Sequence, residues 1–227
     1  YDYDILAELT ATQRCGYLRF TFPETDQANI LFNFNFEFEE NNPAIHEAYV
    51  KKLSDTEIEG FVKKYSSFAD EYTVHFVARF SKPMKSFKTW QRAPFEGYNL
   101  YGTEWQREVN FYNDSEKSLD GDSGSVITFS TEDGETIEIQ TAISLVSMEQ
   151  ARLNFDEELQ PFGWDFHAVV DNCKNEWNNL LGKVEVESRN EEDIERFYTN
   201  LYRAYVARTI WNDVNGKHVD MCEKVRQ

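Results

Sequence analysis

The sequence is short of positive charge. Its 227 residues carry 23 Lys and Arg against 41 Asp and Glu, a formal net charge of −18 at pH 7, and the isoelectric point lies near 4.6. Phosphate backbones and acidic membrane surfaces repel an anion of this size, so nucleic acid is excluded as a partner. Long apolar runs are also missing. No stretch approaches the roughly 20 residues of a membrane span, and no membrane-spanning segment is expected. The chain opens Tyr1-Asp2-Tyr3-Asp4 without Met, basic n-region or apolar h-region, so it shows no targeting signal. It stops at Val225-Arg226-Gln227 without a closing element. Both ends read as cut, and a fragment of a longer protein is expected. Cysteine is scarce. Cys15, Cys173 and Cys222 are odd in number and at no metal-like spacing, so at most one disulfide could form and free thiols are expected.

What is present is aromatic and apolar. Hydrophobic residues make up 41% and aromatics 15%, led by 18 Phe and 12 Tyr, enough for a packed core and against disorder. Against a typical domain of roughly 150 residues the length amounts to about one and a half domains. Ile30, Phe32, Phe34, Phe36 and Phe38 alternate with more polar neighbours, as do Tyr72, Val74, Phe76, Ala78 and Phe80, the period of a half-buried strand. Further strands are expected at Ile5–Thr10, Gly16–Phe22, Ala48–Leu53, Glu57–Lys64, Trp105–Tyr112, Val126–Ser130 and Glu135–Ser147. Glu132-Asp133-Gly134 between the last two reads as a hairpin turn. Strands in succession without intervening helices predict a mostly antiparallel β-sandwich over residues 1–146.

The pattern changes at Ser147. Ser147-Met148-Glu149-Gln150 fits a capping box opening a helix to about Gln160, stopped by Pro161-Phe162-Gly163. A second helix, Asp165 to Leu181, places Phe166, Val170, Cys173, Trp177 and Leu180 on one face, with Gly182 as its stop. A short Lys183–Glu187 strand is expected next. Ser188-Arg189-Asn190-Glu191 then offers another capping box, with Ile194, Phe197, Leu201 and Tyr205 as the stripe of the helix that follows. Residues 147–189 are therefore expected as linker helices, and 190–227 as the opening of an all-helical unit.

Chemistry is hard to place by motif. Gly121-Asp122-Ser123-Gly124 looks like a serine-protease nucleophile loop, but no His stands in a matching context and turn residues explain it. Asp120-Gly121-Asp122 lacks the ligand spacing of a calcium loop. His75, on the non-aromatic face of its strand, reads as a hydrogen-bonding surface residue. Among the Trp residues, Trp177 belongs to a helix stripe. Trp90 and Trp105 flank the Arg92–Gly102 loop and could stack on sugar rings. With 41 carboxylates, no catalytic acid or base can be chosen, and no metal ligand is assigned.

Several stretches together resemble glycoside hydrolase family 92, the α-mannosidases. They are Glu8-Leu9-Thr10-Ala11-Thr12-Gln13-Arg14-Cys15-Gly16-Tyr17 continuing to Thr21-Phe22-Pro23, then Ala142-Ile143-Ser144 through Asn154, Gly163-Trp164-Asp165-Phe166, Phe197-Tyr198-Thr199-Asn200-Leu201-Tyr202-Arg203-Ala204, and Asp213-Val214-Asn215-Gly216. The resemblance implies a β-sandwich, linker helices and the first helix of an (α/α)6 barrel. It implies exo-acting, inverting hydrolysis of terminal α-mannosides of glycans, by calcium-dependent enzymes exported by bacteria to the periplasm, cell surface or medium. The acid, base and calcium-ligand motifs of that family would follow Gln227. Calcium is thus expected in the full-length enzyme and not on this fragment, which is expected to be inactive alone and to self-associate in place of packing on the rest of its barrel. Many members have His where Arg203 stands, and Met-Asp-Gly where Met221-Cys222-Glu223 stands. Tyr198, Arg203, Trp211 and Asp213 are expected beside the substrate pocket. The competing expectation is a non-catalytic carbohydrate-binding or interaction sandwich that uses Trp90 and Trp105.

Overall fold

A computed structural model describes residues 2–34, 45–66, 69–93, 108–206, 210–220 and 222–227. Among the described residues eleven strands precede the first α-helix: β1 (Leu6–Ala11), β2 (Cys15–Phe22), β3 (Thr25–Asn33), β4 (Ile45–Ser54), β5 (Glu57–Ser66), β6 (Ala69–Phe80), β7 (Ser86–Arg92), β8 (Val109–Tyr112), β9 (Glu116–Leu119), β10 (Ser123–Thr131) and β11 (Glu135–Ser144). They form a seven-stranded sheet in the order β1-β2-β11-β6-β5-β4-β9 and a four-stranded sheet in the order β3-β10-β7-β8. Neighbouring strands run antiparallel, for instance β11 against both β2 and β6. The mostly antiparallel sandwich is therefore present. Phe36, Phe38 and Trp105 lie outside the described residues.

Alternation decides what each face buries. Ala28, Ile30, Phe87, Ile127 and Phe129 of the smaller sheet meet Phe22, Val50, Ile58, Ala78, Phe80, Ile137 and Ile139 of the larger one in a single core. The opposite face of the larger sheet carries Cys15, Tyr17 and Ala142, and helices cover it there. These are α1 (Met148–Glu158) and α2 (Phe166–Leu181), which contribute Phe155, Leu159, Phe166 and Val169 to a second core. Helix α3 (Glu191–Val206) follows and buries no residue fully. It leans on α2 through Trp177 and Tyr202, whose ring centroids lie 4.7 Å apart. A ribbon of β12 (His218–Val219) and β13 (Val225–Arg226) ends the described chain.

Four local expectations need correction. β10 and β11 lie in different sheets, so Glu132–Gly134 is a crossing between sheets and not a hairpin. Gly134, at φ +73°, still supplies the left-handed residue, and its N–H donates to the Phe22 carbonyl at the neighbouring β2–β3 crossing (3.0 Å). No strand forms at Lys183–Glu187, which is almost wholly exposed and has no ladder partner to satisfy its backbone. The α3 cap falls two residues later than expected. Asn190 Oδ1 accepts from the Glu192 N–H, while Ser188 Oγ only accepts from the Asn190 N–H. At α1, Ser147 Oγ accepts from the Gln150 N–H at 3.2 Å, but Gln150 Oε1 is buried without a partner, so only half of the capping box closes. Four strands were not anticipated: β7, β9 and the two short strands of the ribbon, β12 and β13.

Candidate functional site: the junction of sandwich, helices and C-terminal segment

The stretches that carry the family resemblance lie far apart in sequence, and folding brings residues of three of them to one place. Arg14 precedes β2, Ser144 ends β11, Asn154 lies on α1, and Asp213 lies in the segment before the ribbon. Asp213 is only 3% exposed. Its carboxylate accepts from Ser144 Oγ at 2.9 Å and from Asn154 Nδ2 at 2.7 Å. Asn154 uses its whole amide: Nδ2 also donates to the Ile143 carbonyl (2.9 Å) and Oδ1 accepts from the Val214 N–H (2.9 Å). Beside it Arg14 donates from Nε to the Asn212 carbonyl at 2.6 Å and pairs with Glu158 at 2.6 Å, both side chains largely covered. Glu158 also accepts from Thr12 Oγ1 and the Arg14 N–H. A second set of these stretches meets nearby: Tyr17 sets its ring edge against Phe166 and Trp164, at 5.2 and 6.1 Å, and Gln140 Nε2 donates to the Gly163 carbonyl.

The electrostatics are those of a sealed joint. Burial pushes the Cys15 thiol up to about 12, with Glu158 adding to the effect, so it is protonated and unreactive at neutral pH. His75 is not the surface residue expected. It sits on the helix-facing side, with Nδ1 3.3 Å from the Ser144 carbonyl, and burial lowers its pKa despite nearby Glu149 and Asp213. Farther along the same face Arg79 lies over the Phe155 ring (4.2 Å) and pairs with Glu57 (3.2 Å), while Arg152 bridges Glu57 and Glu59.

The expected site residues scatter. Trp90 is in β7, 7% exposed, with its indole against Gly124, so it presents no open platform for a sugar. Trp105 lies outside the described residues. Tyr198 and Arg203 share α3: the Tyr198 hydroxyl donates to the Val184 carbonyl at 3.0 Å, and Arg203 lines a shallow groove with Glu192, Glu195, Arg196, Thr199 and Asn200. Trp211 is 62% exposed, whereas Asp213 is buried. Of the six expected residues, the junction contains Asp213 and abuts Trp211. Of its other members, Thr12, Arg14, Ser144 and Asn154 were named in the sequence only as parts of the resemblance, and Glu158 was not singled out. The Gly121–Gly124 stretch is structural. Ser123 is fully buried, and a Cβ on Gly124 would fall 2.1 Å from the Phe32 carbonyl oxygen.

Among the described residues no group of three or more His, Cys, Asp or Glu side chains could hold a metal ion, and the junction's Asp213 and Glu158 are already hydrogen-bonded. The described residues do not fit a calcium site. No helix among them is long and apolar enough to cross a membrane.

Fold and junction together define a class: a β-sandwich module seated, through helices, on the start of a second, helical domain. Residues 1–144 match the Glycosyl hydrolase family 92 N-terminal domain, and residues 150–227 match the Glycosyl hydrolase family 92 catalytic domain. The chain belongs to glycoside hydrolase family 92. Among solved structures it is similar to a family 92 alpha-mannosidase from Bacteroides thetaiotaomicron, with 27% identity, a TM-score of 0.80, and coverage of 100% of this chain and 28% of that one. It is also similar to the family 92 glycosyl hydrolase ccman5, at 26% identity and TM-score 0.78, covering 98% of this chain and 27% of that one. A family 92 inverting mannosidase from Bacteroides thetaiotaomicron VPI-5482 shares the fold, at 20% identity, TM-score 0.76, and coverage of 98% and 27%. The chain thus spans little more than a quarter of the structures it matches. A search of curated proteins found no match.

Proposed function

We propose that this chain is the N-terminal portion of an exported, exo-acting α-mannosidase that removes terminal α-mannose from glycans with inversion, and that it is inactive alone. The observation that carries the reading is its continuous match, sandwich first and catalytic domain from residue 150, to 28% of an alpha-mannosidase structure. Inversion needs a carboxylic acid to protonate the leaving oxygen and a separate carboxylate to activate water, with roughly 6.5–9.5 Å between them. Among the described residues the one buried carboxylate, Asp213, is committed to Ser144 and Asn154, and the half-buried Glu158 to Arg14 and Thr12. As the family resemblance implies, the acid, the base and any calcium ligands are assigned to the remainder of the catalytic domain. In this reading the chain is that domain's mount, and Tyr198, Arg203 and Trp211 stand nearest the substrate.

The test compares this chain with a polypeptide extended through the whole catalytic domain, each incubated with an α-mannoside and calcium while NMR follows the anomeric signals of released mannose. The extended protein is expected to release β-mannose first and this chain none. Turnover by this chain alone, or α-mannose as the first product, overturns the reading.

A further inference from the structure

We propose that Asp213 is a positioning residue: its buried carboxylate fixes the segment around it against the sandwich and α1, and thereby fixes the exposed indole of Trp211 in place. Burying a carboxylate is costly, and a well-packed apolar side chain fills such a place at no penalty. A carboxylate adds direction. One oxygen of Asp213 takes the Ser144 hydroxyl from the end of β11, and the other takes the Asn154 amide from α1. The Val214 N–H returns to the same Asn154 side chain. A slip of one residue in this segment would break all three bonds and strand a buried charge.

The segment is also tied to itself. The Asp213 N–H donates to the Lys217 carbonyl at 2.7 Å and the Gly216 N–H to the Asp213 carbonyl at 2.8 Å, a turn closed by Gly216 at φ +87°. Next to Trp211, the Asn212 carbonyl is held by Arg14 at 2.6 Å, and Glu158 holds Arg14. Rigid anchors thus stand one and two residues from an indole that is itself 62% exposed. An exposed ring whose backbone is fixed loses little freedom when a flat apolar partner stacks on it. The face of a pyranose ring is such a partner. Its use for sugar rests on the glycosidase reading, while the positioning by Asp213 does not.

The experiment needs no activity. The chain is labelled with 5-fluorotryptophan, which gives one ¹⁹F signal for each of its five Trp residues, and Trp211→Phe assigns the fifth. In Asp213→Ala the Trp211 signal is expected to narrow about twofold or more as the indole gains fast motion, while the other four keep their positions. Ser144→Ala, which removes one of the two bonds to the Asp213 carboxylate together with the bonds that Ser144 Oγ accepts from the Val146 and Ser147 N–H groups, is expected to act in the same direction and less. An unchanged Trp211 signal in a folded Asp213→Ala protein overturns the proposal. If that variant unfolds, Ser144→Ala decides alone: narrowing confined to Trp211 supports positioning, and no narrowing overturns it. Failure of the glycosidase reading would appear only in the mannose assay and would leave these signals as they are.

Discussion

At the scale of single residues, close backbone approaches and left-handed positions are the most exposed to test. Gly124 pairs with Trp90 across the β10–β7 ladder, and an added Cβ would lie 2.6 Å from the indole nitrogen as well as 2.1 Å from the Phe32 oxygen. Gly124→Ala is expected to destabilise the sandwich by about 2–3 kcal/mol, read as a lower urea midpoint at constant m-value. Glu223 is the opposite case, a non-glycine residue at φ +60° where the family pattern has Gly. Glu223→Gly removes a left-handed penalty of about 1 kcal/mol, expected as stronger hydrogen-exchange protection in the β12–β13 ribbon. The same turn is sensitive to acid. Arg226, aided by the Lys224 and Cys222 N–H groups, holds Asp220 at about 2, well below an ordinary carboxyl near 3.9. Its contribution is complete above that ordinary value and is lost as pH falls through the folded one, so NMR should show the ribbon loosening between about pH 4 and pH 2.

Elements differ in how firmly they are attached. Helix α1 seats Phe155 in the second core, 2% exposed, under the Arg79 guanidinium. Phe155→Ala is expected to cost about 3–5 kcal/mol and to detach α1 and α2 from the sheet. Helix α3 depends on the Trp177–Tyr202 contact. Trp177→Ala should strip exchange protection from α3 while that of β2, β11 and β6 is unchanged. This gradient was partly legible in the sequence. The stripe Ile194, Phe197, Leu201, Tyr205 marked α3 as amphipathic, but nothing local indicates that the sheet does not cover it. Strands with clean alternation, such as β6, were readable. β7 was not, because Thr89 is fully buried while Lys88 beside it is exposed, and β9 has only four residues, two of them charged. The Glu132–Gly134 turn shows why partners are harder to read than strands: its residues require a reversal, yet only tertiary packing decides whether the chain pairs with itself or changes sheet. The junction was legible even less. Arg14, Ser144, Asn154 and Asp213 are spread over 200 positions, and each has an ordinary local role as a turn, cap or helix residue.

Over the whole molecule, charge and the exposed apolar residues of α3 and the segment after it set behaviour. Phe197, Tyr202, Val206, Ile210 and Trp211 are all at least 36% exposed, and such exposed apolar surface favours association. Light scattering at 0.15 M salt is expected to give a mass above the 26.7 kDa of one chain, and lower salt should shift it toward that value, since a net charge of −18 is then less screened. A monomer at both salts counts against this. Acid should weaken the fold progressively. Burial lowers His75, so loss begins below about pH 6.5. It steepens below about pH 4 as Glu8, held down by Arg19, Asp26 by Lys85 and Glu135 by Lys82 take up protons; a Tm that is flat from pH 7 to pH 3 would contradict this. The position of β11 has a consequence for synthesis. It is the last strand of the sandwich in sequence, yet it lies between β2 and β6 in the larger sheet. On a ribosome adding about 5–20 residues per second, the 122 positions from Phe22 to Ser144 take about 6–24 s. β2 offers an open edge to any passing strand throughout that interval, and β6, complete only at Phe80, does so for about the last 3–13 s of it. The nascent chain is therefore most vulnerable to wrong pairing just before the strand that joins β2 to β6 emerges, which makes this interval the one in which a holding chaperone does most good.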